Sequence, residues 1–302
     1  MTTVGMIGLG IMGMPMSANL LEAGLGVVGY GGPQSNAEKT AALARLGGCG
    51  AGSPREVADR SDVVVLVLPS VAALDDVIGG NGGLLASRRA GLIVVEAGTF
   101  PIEDKFRARD ALAAVGMTTL DCPISGTGAQ AVKKDLSVYA SGDQAAYERC
   151  VPVFEGFARS SYYLGEFGNG SRMKYVANLL VAIHNVSAAE AFVLGMKSGL
   201  APELIYKVIA DGAGTSRMFE VRGPLMAKGE YEPATMKVDI WQKDMKIIGD
   251  FATRLGVPTP VFAASALLYT AAMAQGRAKQ DTASVCAILE EWARLDRGRT
   301  TE

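Results

Sequence analysis

VGMIGLGIMGMPMSANLLEAG, residues 4–24, is the stretch that decides the fold. Val4 to Ile7 is a short apolar run, Gly8, Gly10 and Gly13 follow at the spacing G-x-G-x-x-G, and the residues from Met14 read as a helix. Strand, glycine-rich turn and helix in that order let a pyrophosphate approach the backbone at a helix N-terminus, where N–H groups and the helix dipole favour negative charge. Gly8, Leu9, Gly10, Ile11, Met12 and Gly13 are the residues expected around such a group.

Similar runs recur outward from this stretch, at Val27–Tyr30, Val63–Leu68 and Leu92–Glu96, with Ala-rich helical segments between them. Continuous apolar strands alternating with helices predict a parallel sheet buried on both faces. Thr118–Asp121 and Leu136–Ser141 are expected to continue that sheet, and a segment near Ser161–Leu164 to complete it. From about Gly165 the β-branched runs stop. Ser171 to Lys197 reads as one long, mostly buried helix, followed by helices near Pro202–Asp211, Arg217–Met226, Met236–Leu255 and Pro260–Gln275. The expected fold is therefore α/β, a doubly wound sheet over residues 1–164 followed by an all-α domain over 165–302. Small residues along the long helix suit packing against a second subunit, so a homodimer or homotetramer is expected.

The 302 residues exceed one typical domain, 49% of them are hydrophobic and 20% charged, and the net charge is −2. Disorder and a polyanion-binding surface are thereby disfavoured, and no nucleic-acid partner is expected. Cys49, Cys122, Cys150 and Cys286 are scattered without C-x-x-C spacing, which suits reduced thiols and no metal site. The N-terminus reads as a strand rather than a signal, and no uninterrupted apolar run approaches about 20 residues. A soluble cytoplasmic protein with no membrane partner is expected.

In open α/β sheets ligands bind beyond the carboxyl ends of the strands. VLPS at 67–70 and EAGT at 96–99 lie at such ends, which makes Leu68, Pro69 and Thr99 candidate cofactor contacts. The second strand of an NAD site commonly ends in an acid for the ribose hydroxyl, and here Gly31 stands there. Without a carboxylate nothing repels a 2′-phosphate, and the turn from Gly31 to Asn36 offers backbone N–H groups with the Ser35 and Asn36 side chains. No arginine stands nearby. These features lean slightly to NADP and leave NAD open.

Lys174, Asn178 and Asn185 fall at offsets of four and eleven residues, so on a helix they lie within roughly 40° of one another. A lysine in an apolar helix can act as general acid or base when its surroundings tune it. Ser125, Gly126 and Thr127 follow the TTLD strand, where a Ser-Gly turn can bind a carboxylate or hydroxyl. His184, the one histidine of the chain, lies roughly 80° off the lysine's stripe, which disfavours histidine-based chemistry.

GLGIMGMPMSANL, DCPISGTGAQAVKKDLSVYASGD, GNGSRMKYVAN and QKDM resemble, in order and over nearly the whole chain, the signature segments of the β-hydroxyacid dehydrogenase family. The resemblance implies a Rossmann domain followed by a helical dimerising domain, and hydride transfer between a nicotinamide cofactor and a short 3-hydroxy acid or the matching semialdehyde. It makes Lys174 the lysine that takes or returns the hydroxyl proton, with Asn178 holding substrate beside it. Ser125 and Gly126 would bind the substrate carboxylate with Thr127 beside them. Lys243 would lie near substrate and nicotinamide, Asp244 would anchor its helix, and Thr99 would meet the nicotinamide ribose. Three positions depart from the family pattern: Thr127 stands for a second glycine, Ala177 for the first of two adjacent asparagines, and Gly31 for the acid after the second strand. AGTSRMFEVRGPLM resembles threonate-type members, with Arg217 and Phe219 expected to reach the pocket. Imine reduction and a non-catalytic cofactor-bound scaffold are the alternatives, and retention of Lys174 weighs against both.

Overall fold

The computed structural model describes residues 2–87 and 89–297. Six strands form one parallel sheet: β1 Thr3–Ile7, β2 Gly26–Tyr30, β3 Cys49–Gly50, β4 Val63–Leu66, β5 Ile93–Glu96 and β6 Thr118–Asp121, in the order β3-β2-β1-β4-β5-β6. β4 and β5 are buried at every position, as strands covered on both faces must be. Ile7 pairs with Tyr30 and Leu66, Leu66 with Glu96, and Glu96 with Asp121, so all five strand ends share one edge. The strand order reverses between β1 and β4, and that crevice is where such sheets take ligands.

Two expected strands leave this sheet. Residues of Leu136–Ser141 and of the segment near Ser161 form β8 Ser137–Ala140 and β9 Ser160–Tyr163, which join β7 Ile124–Ser125 in a separate three-stranded sheet. The chain reverses after β6, so Ser141 meets Asp121 only in an antiparallel bridge, each N–H donating to the other's carbonyl at 2.9 and 2.8 Å. Burial along β8 alternates, unlike the continuous burial of β4, and that period of two marks a strand covered on one face. Strands of two residues, β3 and β7, are too short to leave a pattern in sequence.

Packing divides the chain into two units, residues 1–174 and 175–302. The second is helical: Asn169–Lys197 enters it, followed by Pro202–Ala210, Arg217–Lys228, Val238–Arg254, Pro260–Ala274 and the unexpected Val285–Trp292. Its core gathers Phe192, Phe219, Trp241, Phe262 and Tyr269. The long helix is less buried than expected. Met173, Val176, Leu180 and Leu194 are exposed, at steps that put them on one stripe, and Leu194 reaches 74%. By length and composition this helix could cross a membrane, but Asn178 and Asn185 are buried in it and hydrogen-bonded to side chains and backbone of the helical unit.

Candidate active site

Each glycine of the first turn has its own reason. Gly8 has φ +104°, and a Cβ there would strike the Val67 carbonyl; a Cβ on Gly13 would strike the Gly8 carbonyl. A Cβ on Gly10 would meet no protein atom within 4 Å. Among the described residues nothing needs glycine there, and the open space is the cradle a pyrophosphate requires, so the turn fits a dinucleotide. Leu9 is buried in the core beneath the turn, Met12 packs against that core, and Ile11 is exposed. Gly13–Glu22 is the helix that follows. On the same sheet edge lie half-buried Leu68, exposed Pro69 and half-buried Thr99.

The turn after β2 is organised by two side chains. Gly31 N–H donates to Asn36 Oδ1 at 2.8 Å, and Asn36 Nδ2 donates to the Ala51 carbonyl at 2.9 Å, so Asn36 is held by the turn itself. Ser35 sits at the N-cap of Asn36–Arg45 and makes no side-chain cap bond. The missed residue is Lys39, whose Nζ donates to the Gly31 carbonyl at 3.3 Å. A Cβ on Gly31 would lie 2.7 Å from Lys39 Cβ and 2.9 Å from its Cδ, so the glycine makes room for the lysine stem. One helical turn beyond Ser35, Lys39 reaches back to the turn, a placement that its distance from Gly31 in sequence conceals.

Ser125, Gly126 and Thr127 are half-buried. Gly126 has φ +131°, and a Cβ on it would lie 2.5 Å from Leu136 Cδ2. Thr127 is the N-cap of Gly128–Val132, and Gln130 Oε1 accepts from its N–H at 3.0 Å and from its hydroxyl at 3.4 Å. Gly128 has no room for a Cβ beside Ile11, so this loop abuts the first glycine turn. Lys174 is buried, at 8% exposure, in the first turns of the long helix. Three residues before it, Ser171 donates from its backbone N–H to Asp121 Oδ2 and from its hydroxyl to Asp121 Oδ1, both at 2.8 Å. Asp121 Oδ1 lies 2.7 Å from Lys105 Nζ, which lies 2.6 Å from Glu96 Oε2. All three side chains of this cluster are essentially unexposed. Burial works against the Lys105 ammonium, and the carboxylates of Asp121 and Glu96 outweigh it, holding its pKa above the usual lysine range. Burial likewise raises the Glu96 carboxyl, which shares that one ammonium with Asp121. No motif announced this cluster; only the β5–β6 register pairs Glu96 with Asp121.

In the helical unit Asn178 is buried and its Nδ2 donates to Asp244 Oδ2 at 2.9 Å. Lys243 Nζ lies 3.6 Å from Asp244 Oδ1. Asn185 is structural: its Nδ2 donates to Tyr269 Oη at 3.0 Å and to the Thr282 carbonyl at 2.8 Å. Arg217 has a mostly exposed side chain, 3.0 Å from Glu220 Oε2. Phe219 is 2% exposed and stacks on Phe192 and Tyr206 with centroids 5.4 and 5.9 Å apart, so its surroundings give it a packing role. Trp241 is buried in the same core.

Residues 3–165 match the family model for the NAD-binding domain of 6-phosphogluconate dehydrogenase, and residues 168–289 match that for the NAD-binding region of NADP-dependent 3-hydroxyisobutyrate dehydrogenase. L-threonate dehydrogenase of Cupriavidus necator is 34% identical over 94% of this chain and 95% of its own. The chain belongs to the β-hydroxyacid dehydrogenase family. As a family member it is an NAD(P)-dependent oxidoreductase, a 3-hydroxyacid dehydrogenase or semialdehyde reductase. The crystal structure of 3-hydroxyisobutyrate dehydrogenase from Salmonella typhimurium superposes with a TM-score of 0.85 at 32% identity, covering 95% of this chain and all of that one. Psf3, solved with NADP+ and 2-OPP, gives 0.84 at 25% identity over 95% and 99% of the two chains. The β-hydroxyacid dehydrogenase fold is thus the doubly wound sheet and helical second domain expected above.

Proposed function

We propose that this β-hydroxyacid dehydrogenase uses NADP to interconvert a short hydroxy acid and its carbonyl form, with Lys174 as general acid and base. One observation carries the reading: Lys174 is buried near the start of a helix whose first turn is fastened to the end of β6. The nicotinamide, when bound, accepts or supplies the hydride. In oxidation the neutral Lys174 amine takes the hydroxyl proton as negative charge gathers on oxygen, and in reduction its ammonium returns that proton to the carbonyl oxygen. Asn178 holds the reacting end of the substrate. Ser125 and Gly126 bind its carboxylate with Thr127 shaping their loop, and Lys243 adds positive charge. Arg217 and Phe219 are assigned to the substrate from the helical unit, Phe219 through a ring that also packs in that unit's core.

For the cofactor, Gly8 to Gly13 cradle the pyrophosphate, with Leu68, Pro69 and Thr99 along the same edge. Gly31, Ser35 and Lys39 form the 2′-phosphate subsite, and Lys39 supplies the cation that the second-strand turn lacks in sequence. L-threonate heads the substrates to try, because the relatives so named align over nearly the whole chain and it carries a hydroxyl at C3. The exposed apolar stripe of Met173, Val176, Leu180 and Leu194 supports a homodimer or homotetramer, in a soluble cytoplasmic enzyme.

Cofactor reduction with NADP and NAD, measured against L-threonate, 3-hydroxyisobutyrate, glycerate, 3-hydroxypropionate and 4-hydroxybutyrate, tests the reading. Turnover abolished in Lys174→Ala with cofactor binding retained is expected. Silence of the wild type across that panel, with turnover of cyclic imines, would transfer the assignment to imine reduction; cofactor binding without any turnover would leave a scaffold.

A further inference from the structure

We infer that Lys105 is a positioning residue that ties the cofactor turn after β5 to the helix bearing Lys174, an inference that rests on the catalytic role proposed for that lysine. Glu96 and Asp121 are direct neighbours in the β5–β6 ladder, at the strand ends. Like charges facing each other across strands repel, and Lys105, from the helix Ile102–Ala113, sets its ammonium between them.

Each carboxylate spends its remaining acceptors on a different part of the site. Glu96 Oε1 accepts the Gly98 N–H at 2.8 Å, which fixes the turn leading into Thr99. Asp121 accepts both donors of Ser171, and Ser141 Oγ, 3.3 Å from Asp121 Oδ2, accepts the Gly170 N–H at 2.9 Å. Two consecutive N–H groups at the start of the catalytic helix are thereby registered to the strand that leads into Ser125. A cluster of this kind is a poor stabiliser, since apolar side chains of similar volume commonly do as well in a core. It does hold direction, because an ammonium shared by two carboxylates leaves neither free to rotate. Lys174 is one helical turn from Ser171, so a shift of that turn moves its amine directly.

Single-turnover hydride transfer at saturating cofactor and hydroxy acid, measured for Glu96→Gln, Ser171→Ala and the double variant, tests the inference. Each single variant is expected to slow transfer about ten- to a hundredfold, as a displacement near 1 Å does, with KM for the hydroxy acid within about twofold of wild type. The double variant should lose less than the product of the two, because both act through the Lys105–Asp121 link. Ser171→Ala leaves the triad and the backbone bond intact, so it reads the tie between Asp121 and the helix if Glu96→Gln does not fold, and unchanged transfer in it overturns the inference. Wild-type transfer rates in the folded single variants, or losses that simply multiply, would overturn the inference. Lys174→Ala separates the two levels: full turnover in that variant removes the catalytic reading, whereas its silence beside normal Ser171→Ala removes only the positioning role.

Discussion

Asn178 Nδ2 lies 2.9 Å from Asp244 Oδ2, and the adjacent Lys243 has its ammonium 3.6 Å from the other oxygen of the same carboxylate. One buried acid therefore orients two of the polar groups assigned to the substrate, and fastens the helix Val238–Arg254 to the long helix within the helical unit. A hydrogen bond to a charged partner contributes about 1.5–3 kcal/mol, or roughly 10- to 150-fold in kcat/KM if it serves the transition state. Asp244→Ala is expected to lower kcat/KM for the hydroxy acid by that order and to leave the cofactor Kd near wild type. Steady-state kinetics with cofactor titration by fluorescence would check it, and an unchanged kcat/KM would remove the orienting role.

The parts of the molecule legible in sequence were those with a local period. The apolar runs at Val63 and Ile93 declare buried parallel strands, and the glycine spacing from Gly8 declares a phosphate turn. The apolar pattern of Leu136–Ser141 predicts a strand of the parallel sheet, whereas β8 and β9 lie in a sheet of their own, because topology depends on where the chain turns after β6, which that pattern does not encode. Small and apolar residues on several faces of the long helix predict that it is mostly buried, whereas a stripe through Val176 and Leu194 is exposed. Lys39 and Lys105 are not legible in sequence for a common reason: a lysine on a helix looks solvated until the fold shows what its stem lies against.

Lys39 Nζ lies 3.3 Å from the Gly31 carbonyl, and the proposed 2′-phosphate subsite makes it the cation there. Lys39→Ala is expected to raise KM for NADP about tenfold or more and to leave KM for NAD unchanged, since only the phosphate contact is lost. Gly31→Asp places a carboxylate at the end of β2 and pushes the lysine stem aside, so the same assay should show preference moving to NAD. An equal loss with both cofactors in Lys39→Ala would mean that the residue supports the turn and reads no phosphate.

Of the four cysteines, Cys49 is exposed, while Cys122, Cys150 and Cys286 are buried. Burial raises all three buried thiols, Cys150 to about 12, so their thiolate fraction at neutral pH is negligible. A thiol reagent such as DTNB is expected to titrate one cysteine quickly in the native enzyme and four after denaturation. Activity should survive modification of Cys49, which lies in the edge strand β3. Rapid reaction of more than one thiol would show that a core cluster opens in the native state.

Asp281 anchors the chain before the last helices of the second unit. Its Oδ2 accepts the N–H groups of Thr235 and Met236 and the Thr235 hydroxyl; its Oδ1 accepts the Ala283 N–H and lies 3.2 Å from Arg222 Nη1. Burial would raise this carboxyl, but Arg222 and the N–H donors outweigh it and hold its pKa below the usual aspartate value. A depressed folded pKa contributes stability that is complete above the unfolded value near 4 and is lost as pH falls through the folded one. The gap in unfolding free energy between wild type and Asp281→Asn should therefore stay level from about pH 8 to 5 and narrow below about 4. Arg222→Met, which leaves the carboxylate buried without its cation, should cost about 3–5 kcal/mol at pH 7 and less in acid. Urea unfolding across that pH range reads both variants. A gap that persists undiminished to pH 3 would mean that Asp281 stabilises the helical unit through shape alone and carries no charge-dependent share.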